Sequence, residues 1–221
     1  MSKSNKDLGI AVNDYLTKLG INTPITDKVY VDRDVKISKI EDLMTEVLEV
    51  LGLDLKDDSL AETPQRVAKM FVDEIYSGLV PDNFPKCTTV ENKFSHGQEF
   101  ILEKDITLFS DCEHHLRTIV GVAHVAYIPR DKVLGLSKLN RIVQYFAQRP
   151  QVQERLTSQI AHAIAFITGS DDVIVAIDAK HMCVSQRGIK DNSSSTSTIS
   201  AHGTFSKPES NLRSEFHQAI K

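Results

Sequence analysis

Apolar residues in the first third of the chain recur with the spacing of amphipathic helices. One stripe precedes Gly52 and comprises Ile37, Ile40, Met44, Val47, Leu48 and Leu51. A second stripe follows Thr63 and Pro64, a pair that suits a helix start, with threonine as the N-cap and proline in the first turn. A shorter pattern over residues 5–19 predicts another helix. The first 80 residues are therefore expected to be mainly helical.

The period of the pattern changes after residues 79–89, which contain two prolines. Residues 99–109, 118–128 and 173–179 resemble strands, and residues 193–200 fit a threonine-rich strand or a loop equally well. Between them lie two helical patterns: Ser137 is the expected N-cap of the first, and residues 151–168 form the second. The order β-β-α-α-β-β predicts an α+β fold with a four-stranded antiparallel sheet. We expect an N-terminal helical region at 1–90 and an α+β domain at 91–221.

Composition narrows the class of protein. The 221 residues are 41% hydrophobic and 25% charged, as in ordinary soluble proteins, and the net charge of −4 argues against a general nucleic-acid surface. No apolar run approaches the roughly 18 residues of a membrane span, and the N-terminus lacks the apolar core of a signal peptide. Three widely spaced cysteines do not suggest a disulfide framework, so a reducing cytoplasm is the expected location.

The run Cys112-Glu113-His114-His115 contains side chains that bind metals. Cys112 and His115 would share one face of a helical turn, and Cys183 offers a second thiolate. Such a Cys₂His set leaves one of the four usual zinc positions open, which is typical of catalytic sites. From spacing alone, buried free cysteines are an equally good interpretation.

Two further histidines lie beside these candidate ligands. His114 adjoins them, and His181 stands two residues before Cys183, on the same face if that segment is a strand. Imidazoles next to a metal-bound water are suited to proton transfer near neutral pH. Each histidine taken singly also fits an ordinary polar residue at the edge of a loop.

A candidate anion site and a candidate base-binding site lie elsewhere in the chain. Ser137, Lys138 and Arg141 occupy a helix start, where anions bind, and Arg187 follows Cys183. The chain has neither a P-loop nor a dinucleotide-binding glycine motif. Glu154 lies on the polar face of its helix next to Gln153. Either that face is solvated, or another subunit covers it and the carboxylate accepts two hydrogen bonds from guanine.

Four stretches in combination resemble GTP cyclohydrolase I. They are DDSLAETPQRVAKMFVDEIYSGL at 57–79, CEHH at 112–115, the 36 residues from 125 to 160 that include LSKLNRIVQYFAQRPQVQERL, and HMCVSQRGIKD at 181–191. The resemblance implies a homodecamer of the tunnelling fold (T-fold) with active sites at subunit interfaces. It implies conversion of GTP and water to formate and 7,8-dihydroneopterin triphosphate, the first step towards folate or tetrahydrobiopterin.

The resemblance also implies a role for each candidate residue. Cys112, His115 and Cys183 would hold one zinc ion per subunit, which activates the water that attacks C8 of guanine. His114, His181 and Ser137 would be catalytic, and Glu154 would anchor the guanine with help from Gln153. The triphosphate would be bound by Ser137, Lys138, Arg141, Arg187 and Arg66.

Other zinc proteins fit the sequence less well. A zinc nucleobase deaminase needs H-x-E followed by P-C-x-x-C, and that second motif is missing. An alcohol dehydrogenase with a Cys₂His zinc needs a dinucleotide-binding fold, for which the sequence gives no indication. A non-enzymatic binding module stabilised by zinc remains the alternative from another class; it predicts four ligands and no turnover of GTP.

Overall fold

The computed structural model of the chain describes residues 4–93, 97 and 99–221. The helices are α1 (Lys6–Lys18), α2 (Arg33–Val50), α3 (Thr63–Lys69), α4 (Leu136–Ala147), α5 (Gln153–Thr168), α6 (Met182–Ser185) and α7 (Leu212–Ala219). The strands are β1 (Thr89–Glu91), β2 (Ile101–Cys112), β3 (Thr118–Tyr127), β4 (Lys132–Leu134), β5 (Pro150–Gln151), β6 (Val173–His181) and β7 (Thr196–Ala201). A π-helical segment, Met70–Ile75, continues α3, and short 3₁₀ turns span Asp27–Tyr30, Ser77–Leu79, Pro81–Asn83 and Gly203–Ser206.

The main sheet has the strand order β5-β2-β3-β6-β7. The pairs β2/β3, β3/β6 and β6/β7 are antiparallel, whereas β5 adds two residues parallel to the end of β2. A separate antiparallel ladder joins β1 and β4. The expected α+β class with an antiparallel sheet is confirmed, and of residues 193–200 the part from Thr196 onward is a strand. The short strands β1, β4 and β5 and the helix α7 were not predicted.

The principal core lies between the sheet and the helices α4 and α5. Along β2, Ile106 and Leu108 are buried against it while Thr107 and Phe109 face outward, as the alternation of a strand requires. Val12 and Leu16 of α1 belong to the same core. A smaller cluster around Phe205 and Phe216 covers the other face of the sheet. The domain boundary at residue 90 stays a prediction.

Two predicted helix N-caps were wrong, the first by two residues and the second by one. Gly135, not Ser137, is the N-cap of α4, and no side chain caps this end. The N–H of Gly135 donates to the carbonyl of Thr88 (3.1 Å), so the chain turns into the helix directly after that contact and Ser137 lies exposed in the first turn. Thr63, predicted as an N-cap, is instead the first residue of α3. The N-cap is Glu62, which already has helical backbone angles.

The apolar stripe of α2 is largely uncovered in the single chain. The helix forms where the spacing predicted it, but Ile37 is its only buried residue. Val47, Val50 and Leu51 are 50%, 87% and 70% exposed. Among the described helices, none is both long enough and apolar enough to cross a bilayer.

Candidate metal centre and active site

The turn after β2 positions the first two metal-ligand candidates. The carbonyl of Cys112 accepts the N–H groups of His115 (3.3 Å) and Leu116 (2.8 Å), which closes a single helical turn. Leu116 then adopts a left-handed backbone conformation (φ 48°), and Arg117 returns to the ladder by accepting the N–H of Cys112 (2.9 Å). The turn that the spacing of Cys112 and His115 predicted is present, and it does not continue into a helix.

Sheet register brings the third candidate to the same place. β6 pairs with β3, with Ile119 opposite His181, so the end of β6 lies beside the turn that precedes β3. Cys183 follows on the one-turn helix α6. The ligand atoms of Cys112, His115 and Cys183 lie within 4.8 Å of one another. The expectation that His181 and Cys183 share a strand face was wrong, because the strand ends at His181.

The donor set fits a zinc-like cation. Two thiols and one imidazole are ligands that zinc prefers, and three protein ligands are typical of a site with an open position. Within the part of the chain that the structure describes, no fourth histidine, cysteine or carboxylate joins the group. Burial, and then the neighbouring Cys112 thiol, raise the pKa of the Cys183 thiol, and the charge of Arg187 acts in the opposite direction. A bound cation would favour the thiolates.

His114 and Arg187 lie at the edge of this group. Nδ1 of His114 is 3.8 Å from Sγ of Cys112, and its ring is mostly exposed. The guanidinium of Arg187 donates to Nε2 of His115 at 3.0 Å. The protein therefore places one exposed imidazole and one cation directly beside the three candidate ligands.

His181 is held from the other side by the start of α5. Its Nε2 lies 2.8 Å from Oε1 of Gln153, which is itself only 2% exposed. Glu154, the next residue, is exposed. Burial lowers the pKa of His181, while the charge of the Glu154 carboxylate acts in the opposite direction. His181 and Gln153 are thus in direct contact, and Glu154 follows Gln153 in the first turn of α5.

The candidate anion-binding residues of α4 are not brought to the metal ligands within one chain. β5 follows the C-terminal end of α4 and pairs with the end of β2, with Gln151 opposite Cys112. Ser137 and Lys138 lie at the opposite end of this helix, roughly 15 Å away along its axis, and Arg141 one turn closer. Arg66, on α3, is exposed and pairs with Glu62 (2.7 Å).

The sequence of the chain also matches known proteins. A sequence model of the family described as GTP cyclohydrolase I matches residues 40–221. The chain belongs to the GTP cyclohydrolase I family. A protein of Pectobacterium carotovorum named GTP cyclohydrolase 1 is 52% identical over 221 residues, covering 100% of this chain and 99% of the relative. A protein of Serratia proteamaculans with the same name is 53% identical over 212 residues, covering 96% and 95%. The expectation that the chain is an enzyme of this family is confirmed.

The sequence of this GTP cyclohydrolase I family member did not predict the ion pair between Glu113 and Arg155. Glu113, inside the turn that carries Cys112 and His115, accepts a hydrogen bond from Nη2 of Arg155, and both side chains are mostly buried. Nε of Arg155 donates to Gln151 (3.2 Å), whose amide in turn donates to Gln159 (2.9 Å). The only sequence signal was the position of Glu113 between two candidate ligands.

Proposed function

We propose that this chain is a zinc-dependent GTP cyclohydrolase I, which converts GTP and water to formate and 7,8-dihydroneopterin triphosphate. Family membership over residues 40–221 supports the reaction. The observation that carries the metal dependence is the grouping of Cys112, His115 and Cys183 within 4.8 Å, with three donors rather than four. A site of this kind suits hydrolysis better than purely structural stabilisation.

The proposed chemistry begins at C8 of the guanine. When bound, zinc would supply the Lewis acidity that makes a water molecule nucleophilic near neutral pH. His114, exposed beside Cys112, protonates the ring nitrogen as negative charge develops there. A second hydrolysis releases C8 as formate.

The remaining candidates bind and orient the substrate. Glu154 accepts hydrogen bonds from N1 and the 2-amino group of guanine, which selects guanine over adenine. His181 acts as an acid at the ribose ring oxygen, and Ser137 takes part in the later rearrangement of the sugar. Lys138, Arg141, Arg187 and Arg66 bind the triphosphate, whose remote binding energy holds the reacting ring in place.

We further propose that complete active sites form between chains of a homo-oligomer, a decamer by resemblance, with the T-fold as the subunit fold. The separation of roughly 15 Å between Ser137 and the C-terminal end of α4 supports this, because GTP would have to reach both groups. The uncovered stripe of α2 is a second support. The strand β7 also ends the sheet without a further strand among the described residues.

Neopterin fluorescence tests the reaction. Zinc-loaded protein is incubated with GTP, the product is oxidised, and neopterin and formate are measured. Cys183→Ser should abolish both products, and Cys87→Ser, a cysteine outside the metal-binding group, should leave them unchanged. Zinc bound by four ligands with no turnover of GTP would instead identify a zinc-stabilised binding module.

A further inference from the structure

We propose that Gln153 is a positioning residue for His181 rather than a reader of guanine. Its amide oxygen accepts a hydrogen bond from Nε2 of His181 and so fixes the orientation of the imidazole and its Nε2–H tautomer. The inference deepens the proposed function and rests on it for the role of His181. Three steps in the geometry support it.

The orientation of the Gln153 amide is determined by its partners. Its Nε2 lies 3.0 Å from the carbonyl oxygen of Ile177 and 2.9 Å from that of Thr196. Carbonyl oxygens only accept hydrogen bonds, so the amide nitrogen must face them. The opposite end of the amide, Oε1, is therefore the atom that faces Nε2 of His181 at 2.8 Å. If the two amide atoms were exchanged, Oε1 would face the carbonyl oxygens of Ile177 and Thr196, and no hydrogen bond could form between them.

The neighbouring hydroxyls agree with this orientation. Thr157 donates its one hydroxyl proton to the backbone carbonyl of Gln153 (2.7 Å). The hydroxyls of Thr157 and Thr198 lie 2.6 Å apart, so Thr198 must be the donor between them. Oγ1 of Thr198 is then free to accept from Nε2 of Gln153 at 3.1 Å. The whole network has one consistent direction of donation.

The consequence for His181 follows from the acceptor it faces. An amide oxygen cannot donate, so Nε2 of His181 carries a proton whether the ring is neutral or charged. Nδ1 is then the unprotonated nitrogen of the neutral ring. This is the same logic by which a hydrogen bond to one imidazole nitrogen fixes the function of the other.

The burial of Gln153 favours the positioning role over direct contact with guanine. Gln153 is 2% exposed, and both ends of its amide are already hydrogen-bonded within the chain. Glu154, which is exposed, keeps the task of binding the base. The resemblance had implied that both residues contact guanine; the structure assigns them to different tasks.

Steady-state kinetics of Gln153→Leu distinguish the two roles. Loss of the acceptor should lower kcat by about 10- to 100-fold, the usual cost of removing such an orienting partner, while zinc content and the KM for GTP stay near wild type. Thr168→Val, which removes a buried hydroxyl at the far end of the same helix and outside this network, is the matched control and should keep kcat. A raised KM with an unchanged kcat in Gln153→Leu would overturn the proposal, as would a kcat in Gln153→Leu equal to that of Thr168→Val.

A measurement on the unmodified protein covers the case in which these variants fail to fold. Nitrogen-15 NMR of zinc-loaded protein labelled at histidine, with His181 assigned by its loss in His181→Asn, should show the Nε2–H tautomer. A proton on Nδ1 of the neutral ring would overturn the proposal. The tautomer does not depend on the reaction, so a wild-type protein that has it but releases no formate from GTP would count against the proposed function alone.

Discussion

At the scale of single residues, Cys183 is the candidate metal ligand that is distant in sequence from the other two, Cys112 and His115. We expect Cys183→Ser to lower zinc affinity by more than about 100-fold, because loss of an outer partner of a ligand alone already costs about 10- to 100-fold. Equilibrium dialysis of purified protein against buffered zinc measures this. Near-stoichiometric zinc in the variant under conditions that load the wild type would remove Cys183 from the site.

Three buried or half-buried histidines outside the candidate metal site should make the free energy of unfolding fall in acid. Burial lowers the pKa values of His124, His162 and His202 below the ordinary 6.5. The unfolded chain then binds more protons, so these residues contribute stability that is complete above the unfolded pKa and is lost as the pH falls through the lower, folded values. Nδ1 of His124 accepts the N–H of Asp105 (3.2 Å), a contact that protonation of Nδ1 would break.

Urea denaturation of metal-free protein at several pH values between about 7.5 and 5 checks this prediction. The midpoint should decrease with falling pH, and the decrease should be smaller in His124→Gln, whose amide oxygen can still accept from Asp105. An identical pH dependence in wild type and His124→Gln would show that His124 does not contribute.

At the scale of elements, the pair Glu113–Arg155 connects the metal-binding turn to α5. Arg155→Met would leave a mostly buried carboxylate without its main partner, so we expect a loss of about 2 kcal/mol in the free energy of unfolding and faster zinc release. Glu113→Gln keeps an acceptor for Arg155 and should lose less. Denaturation curves and transfer of zinc to a chromogenic chelator measure both effects. Wild-type stability and zinc release in Arg155→Met would show that the ion pair does not support the turn.

The helices and strands could be predicted where one pattern extended over many residues. The helices α2 and α5 and the strand β3 are of this kind. The two-residue strand β5 was not predictable, because it exists only through pairing with the end of β2. The N-cap of α4 failed for a similar reason, since a hydrogen bond from Gly135 to distant Thr88 decides where that helix begins.

The residues of the candidate site also divide into those that a local pattern predicted and those that depend on contacts between distant segments. Cys112 and His115 were identifiable because a local turn joins them. The grouping with Cys183 depends on the register of β3 against β6, and the tie between Gln153 and His181 spans 28 positions. Arg149 is a further example of a contact between distant residues: its guanidinium is buried against Tyr145 and donates to the carbonyl of Gly78 (2.8 Å).

At the scale of the whole molecule, the separation of the metal ligands from Ser137, Lys138 and Arg141 predicts that defective chains can complement each other. Cys112→Ser lacks a proposed metal ligand, and Arg141→Ala lacks a proposed triphosphate contact. If each site takes its metal from one chain and its α4 residues from another, an equal mixture reassembled into mixed oligomers should regain about one quarter of wild-type activity. Separately tagged, co-expressed chains purified through both tags provide the sample. Activity no greater than the mean of the two parents would place the whole site within one chain.

We propose above all that this chain opens the imidazole ring of GTP at C8 in a metal-dependent reaction. GTP labelled with carbon-13 at C8 tests it directly, because NMR follows the labelled carbon from the purine ring into formate. We expect zinc-loaded protein to release the label as formate in equal amount to the neopterin product, and Cys183→Ser to release none. Label that stays in the purine ring with zinc-loaded wild-type protein, or formate release that persists in Cys183→Ser, would contradict the account.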